Sequence, residues 1–505
     1  MLEKYPSSYI TTNLNEKGEH NIAAQVFGNR FLSDQTLYEY LIEFLLVFVS
    51  AKSDDKKSGK MKFHQSSSEK LEYWVEPRMG LRRFIFFDKT KKAGVANIDV
   101  EAYNQIKRII CKSIEVDSED EKIEIVEALQ DLIHGYAVVI QKRSWCAQML
   151  LPICPEMIFC DAMPNQKERK KLKWDSDDIE LKIDRAFDFD KHSFLARGGE
   201  VYYLHILQNL ERHPEKTELL EKLIKNLIAG RNNKLSLICN IIQQNWQEEM
   251  NIDEKSLYKK LNMGFIPKSG YLECGEKAVD ELINFLSSDF EKISKIDILA
   301  KGVMLQVLRM MSWRIDDYLQ SEKKKWIIDM CGGKSITVKK IAHKSFRDIE
   351  DGFLTALNRA ANEFDYQEIE FIKNLKKAKN NTLDMFKAKG KELQCIIPSN
   401  GKYERFTLSE DVVKFLVLSL IPPRKKMTLK MFLEKLYDNY GFVIGPDEYK
   451  KAVCDKGSLE INLSNSFIEN MDSFQAFLKA TGFLRELSDA TSIVVNPYNN
   501  VMEDY

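Results

Sequence analysis

The chain has 505 residues, and its 75 Lys and Arg against 76 Asp and Glu leave a formal net charge of −1, so no chain-wide field draws it to nucleic acid or an anionic membrane. Hydrophobic residues at 44% and charged residues at 30% are those of a globular protein with room for several domains. Nine scattered cysteines fit a reducing cytosol better than a disulfide scaffold. The opening MLEKYPSSYITTN lacks the apolar centre of a secretory signal. The longest strongly apolar run, Tyr40 to Ala51, includes Glu43 and falls short of the roughly 20 residues of a membrane span. Abundant Lys, Ile and Asn point to an AT-rich bacterial genome. A cytoplasmic protein with no membrane partner is expected.

Residues 1–195 read as a mixed α+β region. Gln35 to Val49 is a predicted helix, and the polar segment Ala51 to Lys70 a loop. Arg82 to Phe87 (RRFIFF) has strand composition. Helices are predicted over Val100 to Ser113 and Asp120 to His134, and a charged loop over Asn165 to Asp178. Residues 196–395 read as a helical domain. Helix-period apolar positions run through Val201–Leu210, Thr217–Ile228, Asn233–Trp246, Ala278–Leu286 and Ile296–Leu319, and Ala360–Lys389 extends them with a charged face. Pro398-Ser399-Asn400-Gly401 is a dense turn signal and marks a boundary, so a chain ending at 402 is expected to stay soluble.

Residues 403–505 carry the most coherent pattern. Thr407 to Glu410 has the spacing of a capping box before the apolar run Val412–Leu420, which Pro422 and Pro423 stop. Thr428 is placed to cap a second helix, where Leu429, Phe432, Leu433, Leu436, Tyr437 and Tyr440 make one apolar face before Gly441. A third helix carries Phe474, Phe477 and Leu478. Two strand-like runs, Phe483–Leu487 and Ser492–Val495, flank a Ser488-Asp489-Ala490 turn. The expected fold is therefore mostly α with minor β (α+β): a multi-helical body followed by a C-terminal winged-helix-like domain.

Motifs for chemistry are weak. Cys331-Gly332-Gly333-Lys334-Ser335 ends like a phosphate-binding loop, but the glycine needed five residues before its Gly-Lys-Ser is Ile328, so a tight turn is expected. Arg197-Gly198-Gly199 at a helix start would let the backbone approach an anion; the plainer reading is a loop-to-helix transition packed on the core. Cys146, Cys154, Cys160 and His134 lack zinc-knuckle spacing and sit among apolar residues. Asp161, Glu180 and Lys182 match a metal-dependent nuclease of the PD-(D/E)xK type, although equivalent Glu-x-Lys triplets recur at Glu168 and Glu448. No G-x-S-x-G elbow is present. No catalytic residue, metal or cofactor is assigned.

Two basic clusters interleave with aromatics, as a phosphate track would. Arg78, Arg82, Arg83, Lys89, Lys91 and Lys92 surround RRFIFF; Lys167, Arg169, Lys170, Lys171 and Lys173 form the second, which also reads as a solvated surface. The C-terminal module is mildly acidic overall, with Arg424, Lys425, Lys426 and Lys430 grouped at its second helix and Lys479 and Arg485 on its last helix and wing. Arg78 to Phe87, Phe194 to Leu204 and Gly482 to Tyr498 together resemble large, uncharacterised bacterial proteins of multi-gene anti-phage defence operons. That resemblance implies a subunit working beside an ATPase, helicase or nuclease on another chain. The expected function is a non-enzymatic subunit of such a complex that binds double-stranded DNA, recruits partners, or both. The alternatives are the nuclease and a protein–protein adaptor without nucleic-acid binding.

Overall fold

The computed structural model describes residues 4–6, 21–29, 31, 35–52, 59–63, 71–76, 78–85, 97–135, 137–138, 149–150, 154–158, 162–164, 187–192, 198–229, 233–249, 259–268, 271–364, 366–453, 463–487 and 491–501. Most of them are helical, and the strands form only small sheets. Asn21 caps a short first helix, α1 (Ile22–Phe27). A capping box opens α2 (Leu37–Val49): the Thr36 hydroxyl accepts the Glu39 N–H at 3.3 Å, and the Glu39 carboxylate accepts the Thr36 N–H. All of α2 except Tyr38 and Val49 is buried.

Next come α3 (Met79–Ile85), α4 (Asn97–Lys112) and α5 (Glu119–His134). The expected strand at RRFIFF is instead helical as far as Ile85. Leu81, Phe84 and Ile85 are buried at helical spacing, and Gly80 lies directly on the Trp246 ring. Packing against the helix that carries Trp246 overrides the strand-like composition.

The body continues through α6 (Gly198–Arg212), α7 (Pro214–Ile228), α8 (Lys234–Glu249), α9 (Leu272–Ser287) and α10 (Lys292–Leu319). Then follow α11 (Ile336–Ala361), α12 (Glu368–Lys379) and α13 (Met385–Glu392), the last two joined by a π-helical turn at Asn380–Asp384. The expected continuous stretch from Ala360 to Lys389 is thus broken at Ala361 and restarts at Glu368. α10 is the axis of the fold, buried along most of its length and packed on α2 and α11.

Beyond a two-stranded hairpin (Ile396–Ile397 with Arg405–Phe406) lie α14 (Glu410–Leu420), β1 (Lys426–Thr428), α15 (Leu429–Tyr440), α16 (Pro446–Val453), α17 (Ser466–Ala480), β2 (Leu484–Glu486) and β3 (Ser492–Val495). The expected capping box at Thr407 does not form. Ser409 is the N-cap, because the Thr407 hydroxyl donates to the Asp329 carbonyl at 2.9 Å. Thr428 does cap α15, accepting the Met431 N–H, and Gly441 ends it at φ 71°. β1, β3 and β2 form an antiparallel sheet in that order.

α14 packs against both α9 and α10, and the α10 backbone comes so close that a Cβ on Gly302 would lie 2.1 Å from the Phe415 ring. One hydrophobic cluster consequently runs from Tyr5 through α2, α6 and α10 to Phe474 and Val494. Among the described residues no helix is long and apolar enough to cross a membrane.

Candidate functional site

Sheet register decides what the C-terminal surface presents. Met427, Val494 and Leu484 lie in one row, with Val494 and Leu484 buried toward the helices. Alternation then places Lys426, Thr428, Ile493, Val495 and Arg485 on the outer face. Arg424, Lys425, Lys426, Lys430 and Arg485 are exposed. Arg424 donates from Nε to Asn499 Oδ1 at 2.8 Å, and the Lys430 ammonium stands 3.9 Å from the Asp447 carboxylate. Lys426 on the edge strand therefore shares a face of the sheet with Arg485, and Arg424, Lys425 and Lys430 flank that strand.

α17 turns Phe474 and Leu478 inward, and Phe474 stacks on Phe432 with centroids 6.4 Å apart. Asn470 locks its inner side, donating to the Ile328 and Ile444 carbonyls and accepting the Met330 N–H. Its outer side shows Ile468, Glu469, Asp472, Ala476 and Lys479. Lys479 is paired with Glu486 at 2.7 Å, and Gln475 donates to Ser492 Oγ at 2.7 Å. The exposed face of α17 is apolar and acidic, and its Lys479 is paired with Glu486 on β2.

Arg78 is turned into the protein, donating to Asn240 Oδ1 at 3.1 Å beside the Glu76 carboxylate at 3.5 Å, with its side chain 13% exposed. Arg82 and Arg83 lie on α3, and their side chains are outside the described residues. Lys89, Lys91, Lys92 and Arg197 also lie outside them, as do Lys167, Arg169, Lys170, Lys171 and Lys173, and the nuclease trio Asp161, Glu180 and Lys182.

Gly199 does approach an anion, and it is the chain's own, while Gly198 lies against the Tyr40 ring. The Gly199 N–H donates to Glu43 Oε2 at 2.9 Å, and Glu43 is buried. A Cβ on Gly199 would lie 2.4 Å from the Tyr40 carbonyl oxygen, so the glycine is required for the close crossing of α6 on α2. Cys331 to Ser335 forms a turn with Gly332 and Gly333 at φ 62° and 84°, braced by the Asp329–Arg405 ion pair at 2.6 Å. Among the described residues no group of His, Cys, Asp or Glu is placed to hold a metal ion.

Among the described residues a dense polar cluster is buried, and sequence reasoning missed it. Glu281 on α9 accepts from four donors: Arg309 Nη1 at 2.9 Å, Gln306 Nε2 at 2.8 Å, Asn439 Nδ2 at 3.0 Å and Tyr440 Oη at 2.7 Å. Arg309 also donates to the Asn439 carbonyl and lies over the Tyr440 ring. Nearby, burial and the positive charge of Arg309 hold the His205 imidazole down at about 3, so it is neutral at physiological pH. The network clamps the end of α15 onto α9 and α10. Its only signal in the sequence is an arginine inside the apolar run MLQVLRMM, a position that demands a buried counter-charge. With Glu281, Gln306, Arg309 and Tyr440 all buried, the cluster is suited to holding α15 in place.

Comparison of the chain with protein-family models, with curated proteins and with solved structures finds no match.

Proposed function

We propose that the chain is a non-enzymatic binding subunit whose winged-helix-like C-terminal unit docks another protein. The succession α14, β1, α15, α16, α17, β2 and β3, in which α16 is an added helix before α17, and the strand order β1-β3-β2 support the winged-helix reading. In that arrangement α17 is the helix offered to the ligand. The observation that carries the protein reading is its outer face: Ile468, Glu469 and Asp472 are exposed, and Lys479 is spent on Glu486. A helix entering a DNA groove must neutralise phosphates, and acidic side chains oppose that.

A second reading, duplex binding by the sheet edge, is favoured by the exposed Arg424, Lys425, Lys426 and Lys430. The resemblance to defence-operon proteins supports partner subunits in a bacterial cytoplasmic complex as the ligand class. Titration of the purified chain against a labelled DNA duplex at low and rising salt separates the two. Absence of binding at low salt is the expected result. Affinity that falls steeply with salt, and is lost in a variant with Arg424, Lys425 and Lys426 changed to Glu, would replace the protein reading with the DNA one.

A further inference from the structure

Two exposed helix faces of this chain are complementary to each other. On α12, Ile369 is 84% exposed and Ile372 60% exposed, while Phe371, Leu375 and Ala378 pack inward. Ile369, Ile372, Lys373, Lys376 and Lys377 follow one another at helical spacing on the outer side, with Lys379 beside them. The sequence holds no acidic residue between Glu370 and Asp384. Among the described residues none of these lysines forms an ion pair.

α5 presents the opposite charge with the same apolar spacing. Val126, Gln130 and Ile133 face inward. Outward lie Ile125, Ala128 and Leu132, the last 55% exposed, flanked by Glu121, Glu124 and Asp131. These three carboxylates have no ion-pair partner among the described residues.

We propose that α5 of one copy docks antiparallel on α12 of a second copy. Antiparallel pairing sets Ile369 and Ile372 against Leu132 and Ala128, and brings Lys376 and Lys377 to Glu124 and Glu121. It also aligns the helix dipoles favourably. The occupant is a second copy because the chain itself supplies the complementary charge and the matching apolar positions. Nucleic acid fits less well, since the α12 face offers aliphatic side chains and no aromatic ring for bases to stack on. The two faces are different surfaces, so the contact is heterologous and can continue from copy to copy. A pair of helices about 18 and 24 Å long makes a small interface, so association is weak and sensitive to salt.

Sedimentation velocity of the full chain, across concentration at low and high salt, tests the proposal. The wild type is expected to associate at low salt and dissociate as salt rises. Ile369→Glu with Ile372→Glu, and separately Ile125→Lys with Leu132→Lys, should each weaken association at least about tenfold. These exposed positions leave the core untouched, which circular dichroism checks. Mixing the two variants should restore association but stop at two copies, because only one intact pair of faces remains. A wild type that stays monomeric at every concentration overturns the proposal, as does association that neither variant changes. Binding of the monomer to phosphatidylserine vesicles, lost in Ile369→Glu, would overturn it too by giving the α12 face to a lipid surface. None of these substitutions lies on α17 or among Arg424, Lys425 and Lys426, so the outcome is independent of the duplex titration.

Discussion

Changing Glu281 to alanine removes the acceptor of four hydrogen bonds and leaves Arg309 charged inside the core. Arg309 is 1% exposed, so water cannot take over the role of the carboxylate. Breaking one side of a buried ion pair costs about 3–5 kcal/mol, against the roughly 5–15 kcal/mol that holds a protein folded. The damage should concentrate where Asn439 and Tyr440 lose their partner, at the end of α15. Urea unfolding followed by tryptophan fluorescence gives the magnitude, and hydrogen exchange across residues 429–440 gives the location. The double substitution Glu281→Leu with Arg309→Met removes both charges and should recover part of the loss, because an apolar pair needs no compensation. A Glu281→Ala protein within about 1 kcal/mol of wild type would refute the reasoning. So would a double variant that loses the sum of the two single losses.

His205 should make stability pH-dependent. Its folded value of about 3 lies below the unfolded 6.5, so its contribution is complete above pH 6.5 and is lost progressively as pH falls toward 3. At pH 5 the loss is about 2 kcal/mol, and His205→Leu should flatten that slope between pH 7.5 and 5; parallel curves would contradict it. Gly199→Ala drives a Cβ into the Tyr40 carbonyl and should cost about 1–3 kcal/mol or more, read as a lowered Tm; an unchanged Tm would mean that α6 and α2 can move apart freely. Truncation after residue 402 strips Phe415 from Phe285, whose rings lie 5.2 Å apart, and exposes the core faces of α9 and α10. Aggregation is expected on size-exclusion chromatography, whereas a soluble monomer would mean that the body closes without α14.

Helices were the legible part of this fold. Thr428 and Gly441 bracket α15 as expected, since a cap and a left-handed stop act within a few residues of themselves. The ends of α2, α5 and α10 were close to expectation for the same reason, long apolar periodicity being a local property. RRFIFF failed because its apolar residues satisfy both a strand and a helix, and Trp246, far along the chain, decides between them. Thr407 failed because Asp329 competes for its hydroxyl. Most of α11 lies outside the expected helices although Val338, Ala342, Phe346, Ile349 and Phe353 keep helical spacing.

For the candidate site, the sequence by itself determined which residues are basic, which are small and where an arginine interrupts an apolar helix. Only the tertiary structure decided what each of them faces. It gave the anion at Gly199 to Glu43, turned Arg78 inward, matched Lys479 with Glu486 and gathered four donors on Glu281. The physical reason is one of range. Caps and periodicity are settled within a helical turn, whereas a charge is neutralised by whichever group the packing brings within about 3 Å, and that group can stand hundreds of residues away.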